Sequence, residues 1–319
     1  MSNRHAVIVA GPTASGKSAL ATRLADRIGG VIINADAMQL YRELRILTAR
    51  PTEADERRLP HRLYGVREAA EPASAAWWRE RAEAAMAEAA AAGRIPVLCG
   101  GSGLYLDALV NGLSRLPQPS PEARDEARAL LASLGPAGLH ARLAAVDPAT
   151  AERLHQGDSQ RVARAYEVWR ATGRGLAAWQ AAERPERSLW RFRAILLDPP
   201  RALLRQAIAG RFAAMLEAGA LEEARALLAL GLDPALPAMR AHGVPELSAH
   251  LAGRLTREAA AARAVLVTSQ YAKRQATWFR HHALAGPAHT HRIYAQMEGK
   301  TKFEERNIAD LATFVLEPG

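Results

Sequence analysis

The sequence predicts an α/β fold, with a parallel sheet core flanked by helices and interrupted by an all-helical insertion. Three observations carry this prediction. Apolar strand patterns alternate with helical patterns over residues 5–113, as in parallel sheets with helices on both faces. A glycine-rich loop joins the first strand to the first helix. No convincing strand is found over residues 114–187, and a strand pattern returns at residues 190–197.

The elements follow from local patterns in chain order. In the first part, strands are predicted at 6–10, 30–35 and 96–99, with helices at 17–28 and 74–92. Ser120, Asp147 and Asp158 are suitable first residues for the helices of the insertion. After the strand at 190–197, helices are predicted at 201–217, 221–230, 255–282 and 309–316. We therefore expect a core of residues 1–113 and 188–319 and an insertion of residues 114–187.

Composition narrows the functional classes. The chain has 319 residues and a formal net charge of +9, which favours a polyanionic partner or, equally, a solvated basic surface. Cys99 is the single cysteine, so no intramolecular disulfide can form, and no Cys/His spacing indicates a zinc site. We find no apolar run of transmembrane length. A cytoplasmic protein without a membrane partner is expected.

The glycine-rich loop is a phosphate-binding motif. It reads Gly11-Pro12-Thr13-Ala14-Ser15-Gly16-Lys17-Ser18, matching G-x-x-x-x-G-K-[ST], and it predicts a P-loop NTPase-like core. The glycines let successive N–H groups point into one cavity at a helix N-terminus, where anions are favoured. Lys17 is expected on phosphate and Ser18 on Mg²⁺. A turn that binds nothing is the alternative, but strand, loop and helix occur in the order the motif requires.

The ends of two further strands bear on the reaction. Asp36 follows the second strand and could be a general base, a Mg²⁺ contact or a helix cap. The strand at 96–99 runs into Gly100-Gly101-Ser102-Gly103 without the acid that a hydrolysing phosphate-loop enzyme usually has there. This weakens an ATPase or GTPase interpretation. The turn suits close backbone approach with a hydroxyl from Ser102, and a simple tight turn is equally compatible.

Basic residues recur with aromatics and amides in the remaining chain. Arg161 and Arg164 share a helix face in the insertion. Lys273, Arg274 and Gln275 lie on the predicted helix at 255–282, which also carries aromatic residues. This pattern fits a nucleic-acid surface, whereas an amphipathic helix with a solvated basic face is the simpler alternative.

An ordered set of segments resembles the tRNA dimethylallyltransferase (tRNA isopentenyltransferase) family. Besides the phosphate loop, the matching segments are Asp36-Ala37-Met38-Gln39-Leu40-Tyr41, Thr48-Ala49-Arg50-Pro51, Gly100-Gly101-Ser102-Gly103-Leu104-Tyr105, Asp158-Ser159-Gln160-Arg161, Leu197-Asp198-Pro199-Pro200-Arg201 and Lys273-Arg274-Gln275-Ala276-Thr277-Trp278-Phe279-Arg280. They fall in family order and cover roughly residues 5–285. The phosphate loop alone is diagnostic of phosphate binding, and the ordered set is specific to the family.

The resemblance implies transfer of a dimethylallyl group from dimethylallyl diphosphate to N6 of adenosine 37 in the tRNA anticodon loop. The catalytic residues would be Asp36 as base, with Thr13 and Arg211 at the diphosphate. The phosphate loop would hold the diphosphate, with Mg²⁺ at Ser18. The tRNA would be bound by Asp36, Ala37, Met38, Gln39, Ser102, Gln160, Arg161, Arg164, Arg240, Gly243, Lys273, Arg274 and Gln275. A monomer is expected.

Three departures from the family pattern stand out. Ala37 stands where the family has Ser, Leu47 where it has Gly, and His242-Gly243-Val244 where Ile-Gly-Tyr is usual. The tail after Gly286 matches nothing in the family pattern. Two other classes of protein stay open on the residues alone: a phosphate-loop kinase of small molecules, in which Asp36 activates a hydroxyl, and a non-catalytic RNA-binding module.

Overall fold

One parallel sheet forms the centre of the molecule, in a computed structural model that describes residues 4–114, 116–182, 185–295 and 305–317. Within these residues the strand order is β3-β2-β4-β1-β5-β6, and every pair of neighbours is parallel. The strands are β1 (His5–Ala10), β2 (Gly30–Asn34), β3 (His61–Arg62), β4 (Ile95–Gly100), β5 (Arg191–Leu197) and β6 (Thr290–Ile293). Strand β1 is central, and Val9 lies in register with Cys99 on β4 and Ile195 on β5.

Helices that precede residue 112 or follow residue 187 cover both faces of the sheet. In chain order, the helices of the described residues are α1 (Lys17–Ile28), α2 (Glu53–Arg58), α3 (Ala75–Ala91), α4 (Gly103–Asn111), α5 (Pro121–Val146), α6 (Pro148–Ala151), α7 (Ser159–Thr172), α8 (Leu176–Ala182), α9 (Arg201–Glu217), α10 (Ala220–Ala229), α11 (Val244–Leu251), α12 (Arg257–His281) and α13 (Glu305–Leu316).

The central strands are apolar throughout because both of their faces are buried. On β1, Ile8 packs in the cluster that includes Trp78 of α3, whereas Val7 and Val9 pack in the cluster that includes Leu24 of α1. A third cluster joins residues 41–47 to helices α9–α12. This last cluster places α9 and the segment after β2 beside each other, next to the phosphate loop.

Two compact units divide the chain. One comprises Met1–Val110 with Ser188–Gly319, and the other comprises Asn111–Arg187, whereas the insertion was predicted to begin at residue 114. The second unit is helical over its described residues and has its own core, in which Leu139 and Leu143 of α5 pack with Val162 and Tyr166 of α7.

Several observed elements were not predicted, among them strands β3 and β6 and helix α2. The two strands are short edge strands, whose conformation depends on pairing rather than on a pattern of their own. Helix α5 has the length and apolar composition to cross a membrane, contrary to the expectation that no run does. Its helical geometry is interrupted at Gly135, where φ is 68°, so neither half reaches the roughly 20 residues of a spanning helix.

Candidate active site

The phosphate loop connects β1 to α1 and has the geometry of an anion cradle. Gly16 is left-handed, with φ of 87°, immediately before α1 begins at Lys17, and no side chain caps the start of that helix. A Cβ on Gly11 would lie 2.7 Å from the Leu197 carbonyl oxygen. These two positions therefore require glycine, and the uncapped N–H groups at the start of α1 are available to an anion.

A cavity of about 550 Å³ opens beside this loop. Residues from four separate stretches of the chain line it: Thr13, Ala14, Gly16, Lys17, Ser18, Ala19, Asp36, Gln39, Thr48, Ala49, Gln206, Ala207, Gly210 and Arg211. The predicted loop residues Gly11, Pro12 and Ser15 lie buried behind this lining. The cavity thus brings the loop together with Asp36 and Arg211, as the resemblance implied.

Two cations face this cavity. Burial lowers the pKa of Lys17 and of Arg211, and the Asp36 carboxylate opposes that effect at both groups. Lys17 Nζ lies 3.4 Å from the Pro12 carbonyl oxygen. Among the residues that the structure describes, neither cation forms an ion pair. Desolvated positive charge without a protein partner favours an anionic ligand.

Asp36 is held in place by Asn34, the last residue of β2. The Asp36 N–H donates to Asn34 Oδ1 at 2.8 Å, and Asn34 Nδ2 donates to the carbonyl oxygens of Asp36 and Leu63 at 2.9 Å each. Asn34 is fully buried. Asp36 Oδ1 accepts from the Met38 N–H at 3.1 Å, so one carboxylate oxygen is fixed within the protein while Asp36 lines the cavity.

The segment that leads to Thr48 and Ala49 in the wall of the cavity is held by Glu223 of α10. Its carboxylate accepts the backbone N–H groups of Arg45, Ile46 and Leu47 at 2.8, 2.7 and 2.8 Å. Immediately after them, the carbonyl oxygens of residues 48 and 49 accept from Gln39 Nε2 at 2.8 and 3.2 Å. The donor group of Gln39, a predicted tRNA-binding residue, is therefore used in holding this wall.

The turn after β4 is a junction within the protein. A Cβ on Gly100 would lie 2.0 Å from the Ala35 carbonyl, and Ser102 Oγ accepts from the Ala37 N–H at 2.9 Å. The described lining of the cavity does not include residues 100–103. Of the two interpretations of this turn, the contacts favour close packing that orients the segment beginning at Asp36.

Five further predicted tRNA residues lie on α12 or before α11, outside the lining of the cavity. Lys273 and Arg274 are exposed on α12 and line a groove of about 630 Å³ with Arg201, Gln270, Thr277, Trp278, His281 and His282. Arg240 is exposed before α11, whereas Gly243 is buried, and a Cβ there would lie 2.8 Å from Leu47 Cδ2. Gln275 is buried.

Three further predicted residues belong to the insertion unit. Gln160 and Arg161 are exposed near the start of α7, and Arg164 is half-buried one turn later. Arg161 pairs with Asp158 at 3.4 Å and Arg164 with Glu167 at 3.3 Å. Such exposed pairs are weak and exchange readily for phosphate contacts.

Sequence reasoning missed several residues of the site. Gln206, Gly210 and Thr48 line the cavity, while Asn34 and Glu223 hold its walls. Asn34 gave one usable signal, since it is a polar residue that ends a buried strand directly before the candidate base. Glu223 gave none, because its partners are backbone groups far away in the sequence.

The parallel sheet, the phosphate loop and the cavity with its cations and carboxylate define a phosphate-loop enzyme. The IPP transferase family profile matches residues 39–282, and the isopentenyl transferase profile matches residues 4–71. The tRNA dimethylallyltransferase of Acidiphilium cryptum is 58% identical over 312 residues, covering 98% of this chain and 95% of the relative. The chain belongs to the tRNA dimethylallyltransferase family.

Other comparisons agree. The tRNA dimethylallyltransferase of Granulibacter bethesdensis is 56% identical over 317 residues, covering 99% of both chains. The crystal structure of a tRNA isopentenylpyrophosphate transferase from Bacillus halodurans is similar, with a TM-score of 0.69, 29% identity and coverage of 98% and 95%. The predicted family, the α/β phosphate-loop fold and the assignment as a transferase are thereby confirmed.

Proposed function

We propose that the cavity between the phosphate loop, Asp36 and Arg211 is where this chain carries out its family's reaction. That reaction transfers a dimethylallyl group from dimethylallyl diphosphate to N6 of adenosine 37 of tRNA and releases diphosphate. The observation that carries the proposal is the pairing of two desolvated cations, without ion-pair partners among the described residues, with one carboxylate on the same cavity.

The cations and the loop amides are suited to the diphosphate. Lys17, Arg211 and the uncapped start of α1 present positive charge before any ligand arrives, so little reorganisation is needed as negative charge develops on the leaving group. Thr13 lines the same cavity and would contact the diphosphate near the bond that breaks. Removing one preorganised donor of this kind typically lowers the rate roughly 10²–10³-fold.

Asp36 is suited to the acceptor. The exocyclic amine of adenine is a weak nucleophile because its lone pair is delocalised into the ring. As the N6–C1 bond forms, the C1–O bond to diphosphate breaks, and the Asp36 carboxylate takes the proton from N6. Its backbone is held by Asn34 and one oxygen by the Met38 N–H, which orients the carboxylate before the base arrives.

The residues present fit a magnesium ion held largely by substrate. Within the described ranges, no group of three or more His, Cys, Asp or Glu side chains could hold a metal by itself. Mg²⁺ usually keeps several waters and binds through few protein ligands plus phosphate oxygens. Ser18, which is exposed and lines the cavity, would supply such a ligand. When bound, the ion would neutralise part of the charge on the diphosphate.

The tRNA would approach from the side of α12. Adenosine 37 must leave its stack to reach Asp36, at a few kcal/mol that other contacts have to offset. Lys273, Arg274 and Arg240 are exposed and suited to phosphates, and Gln160, Arg161 and Arg164 of the insertion would add contacts to the anticodon arm. We propose that the chain acts on tRNA as a monomer in the cytoplasm.

Mass spectrometry of anticodon-loop nucleosides tests the proposal. Wild-type protein, dimethylallyl diphosphate, Mg²⁺ and unmodified tRNA should yield N6-dimethylallyl adenosine at position 37. Asp36→Asn should lower the transfer rate roughly 10²–10⁴-fold, the usual range for a general base, while tRNA binding persists. Unchanged turnover of the variant would remove Asp36 as the base. Label passing from ATP to a small molecule, with no prenylated tRNA, would favour a kinase instead.

A further inference from the structure

Gln275 on α12 forms internal hydrogen bonds that do not resemble those of a surface tRNA contact. Its side chain is buried, with 5% of the residue exposed. Gln275 Oε1 accepts the Thr13 N–H at 2.8 Å, and Gln275 Nε2 donates to the Gly101 carbonyl oxygen at 2.8 Å. The amide therefore joins α12 to the phosphate loop and to the turn after β4.

The bond to Thr13 affects the donor site directly. The Thr13 N–H belongs to the loop expected to surround the diphosphate, yet it points to Gln275. Thr13 also lines the cavity. Since the backbone of Thr13 is anchored to α12, a shift of that helix by a few tenths of an ångström changes where the Thr13 side chain meets the donor.

The turn after β4 is shaped to receive α12. A Cβ on Gly101 would lie 2.3 Å from Gln275 Nε2, and a Cβ on Gly103 would lie 2.4 Å from the Trp278 ring. Gln275 and Trp278 are three residues apart, so they share one face of α12. Gly100, at the start of this turn, packs against Ala35, which directly precedes Asp36. One helix face thus contacts both halves of the candidate active site.

The same helix borders the groove suited to nucleic acid. Lys273, Arg274 and Thr277 are exposed there, and Trp278 lines the groove while its ring also packs on Gly103. A tRNA bound in this groove would contact the helix that anchors Thr13. The connection from acceptor surface to donor loop consists of Trp278, the turn after β4 and the Gln275 amide.

We propose that Gln275 is a positioning residue that couples tRNA binding in the α12 groove to diphosphate binding in the phosphate loop. The inference rests on the proposed function of both surfaces. By linkage, each substrate then raises the affinity of the other by the same factor. Gln275 acts through the backbone of Thr13 and contacts neither reacting atom.

The test measures binding of dimethylallyl S-thiolodiphosphate, a slowly reacting donor analogue in which sulfur replaces the oxygen between the allylic carbon and phosphorus, with and without an anticodon stem-loop. Wild-type protein should bind the analogue roughly 5–150-fold more tightly when the stem-loop is present, the usual range of coupling between two sites. Gln275→Ala should bring this ratio to within about 2-fold of unity. The donor KM should rise while kcat at saturation of both substrates changes little. Gln180→Ala, at an exposed position of α8, is the matched control and should keep the wild-type ratio.

A second variant separates coupling from general damage to the fold. Gly101→Ala places a methyl group against Gln275 Nε2, so it should abolish the coupling in the wild-type background. In the Gln275→Ala background the severe contact is gone and the nearest remaining atom is the Gly11 carbonyl oxygen at 3.3 Å, so the same change should have a much smaller further effect. Absence of coupling in wild-type protein, its persistence in Gln275→Ala, or additive effects of the two changes would each overturn the inference. Prenyl transfer measured on the same wild-type sample shows separately whether the proposed function holds.

Discussion

Replacing Lys17 with methionine should stabilise the free protein while disabling it. Lys17 is 8% exposed, its burial lowers its pKa, and among the described residues it forms no ion pair. Methionine has a similar length and no charge to desolvate. Replacing a poorly compensated buried charge with an apolar group commonly stabilises by about 1 kcal/mol or more. The melting temperature without ligand should therefore rise by about 2–4 °C.

Donor binding should change in the opposite direction. Two unit charges about 4 Å apart interact by about 4 kcal/mol at an effective dielectric constant near 20. Losing most of that interaction with a diphosphate predicts a fall in kcat/KM for dimethylallyl diphosphate of roughly 10²–10³-fold. The increase in melting temperature that the donor produces in wild-type protein should largely disappear as well.

The assay is a thermal melt with and without donor, combined with steady-state kinetics on tRNA. Arg23→Met is the matched control, because Arg23 is exposed on the same helix and should affect neither measurement.

The sign of the pH dependence is a further check. The unfolded chain holds the Lys17 proton up to about pH 10.5, above the lowered pKa in the folded protein. Wild-type stability should thus approach that of the variant as the pH rises towards 10.5. A variant that melts below wild type without ligand, or that keeps its donor KM, would refute the reasoning.

Three further predictions concern other residues. Asn34→Ala leaves the Asp36 N–H and two carbonyl oxygens without their partner, so urea unfolding should show a loss of about 2–4 kcal/mol, and single-turnover transfer should slow. A single-turnover rate equal to that of wild-type protein would count against the role of Asn34 beside Asp36. Burial lowers the pKa of His242 below its ordinary 6.5, so the folded protein takes up this proton less readily than the unfolded chain. Wild-type protein should therefore lose stability relative to His242→Phe as pH falls from 7 to 5. Parallel profiles of stability against pH for the two proteins would contradict this. Stem-loop affinity should fall roughly 10²-fold between 50 and 200 mM salt if about four phosphates are contacted, and a flat dependence would exclude the basic groove as the tRNA surface.

The phosphate loop and the elements around it could be predicted because their causes are local. Gly11, Gly16 and Lys17 satisfy a motif whose backbone geometry follows from the residues themselves, and β1 and α1 have clear patterns of their own. Asp36 was recognisable because carboxyl ends of parallel strands meet at one edge of a sheet, and β2 ends directly before it.

The internal contacts of the site could not be predicted, because they join residues that are distant in the sequence. Gln275 lies among Lys273, Arg274 and Trp278, so its residue type and surroundings indicated a nucleic-acid contact, yet its partner is 262 residues away. The turn at residues 100–103 was ambiguous for the same reason. Its glycines make room for Ala35, Gln275 and Trp278, none of which is near in sequence.

The contact between Glu223 and residues 45–47 bears on which substitutions this wall of the cavity accepts. The carboxylate holds three main-chain N–H groups, and every non-proline residue carries one. The hydrogen bonds that hold this segment therefore do not depend on which side chains it carries. The Leu47 side chain occupies the space left open by Gly243, so these two positions depend on each other. The hydrogen bonds to Glu223 themselves exclude only proline from the three positions that the acid holds.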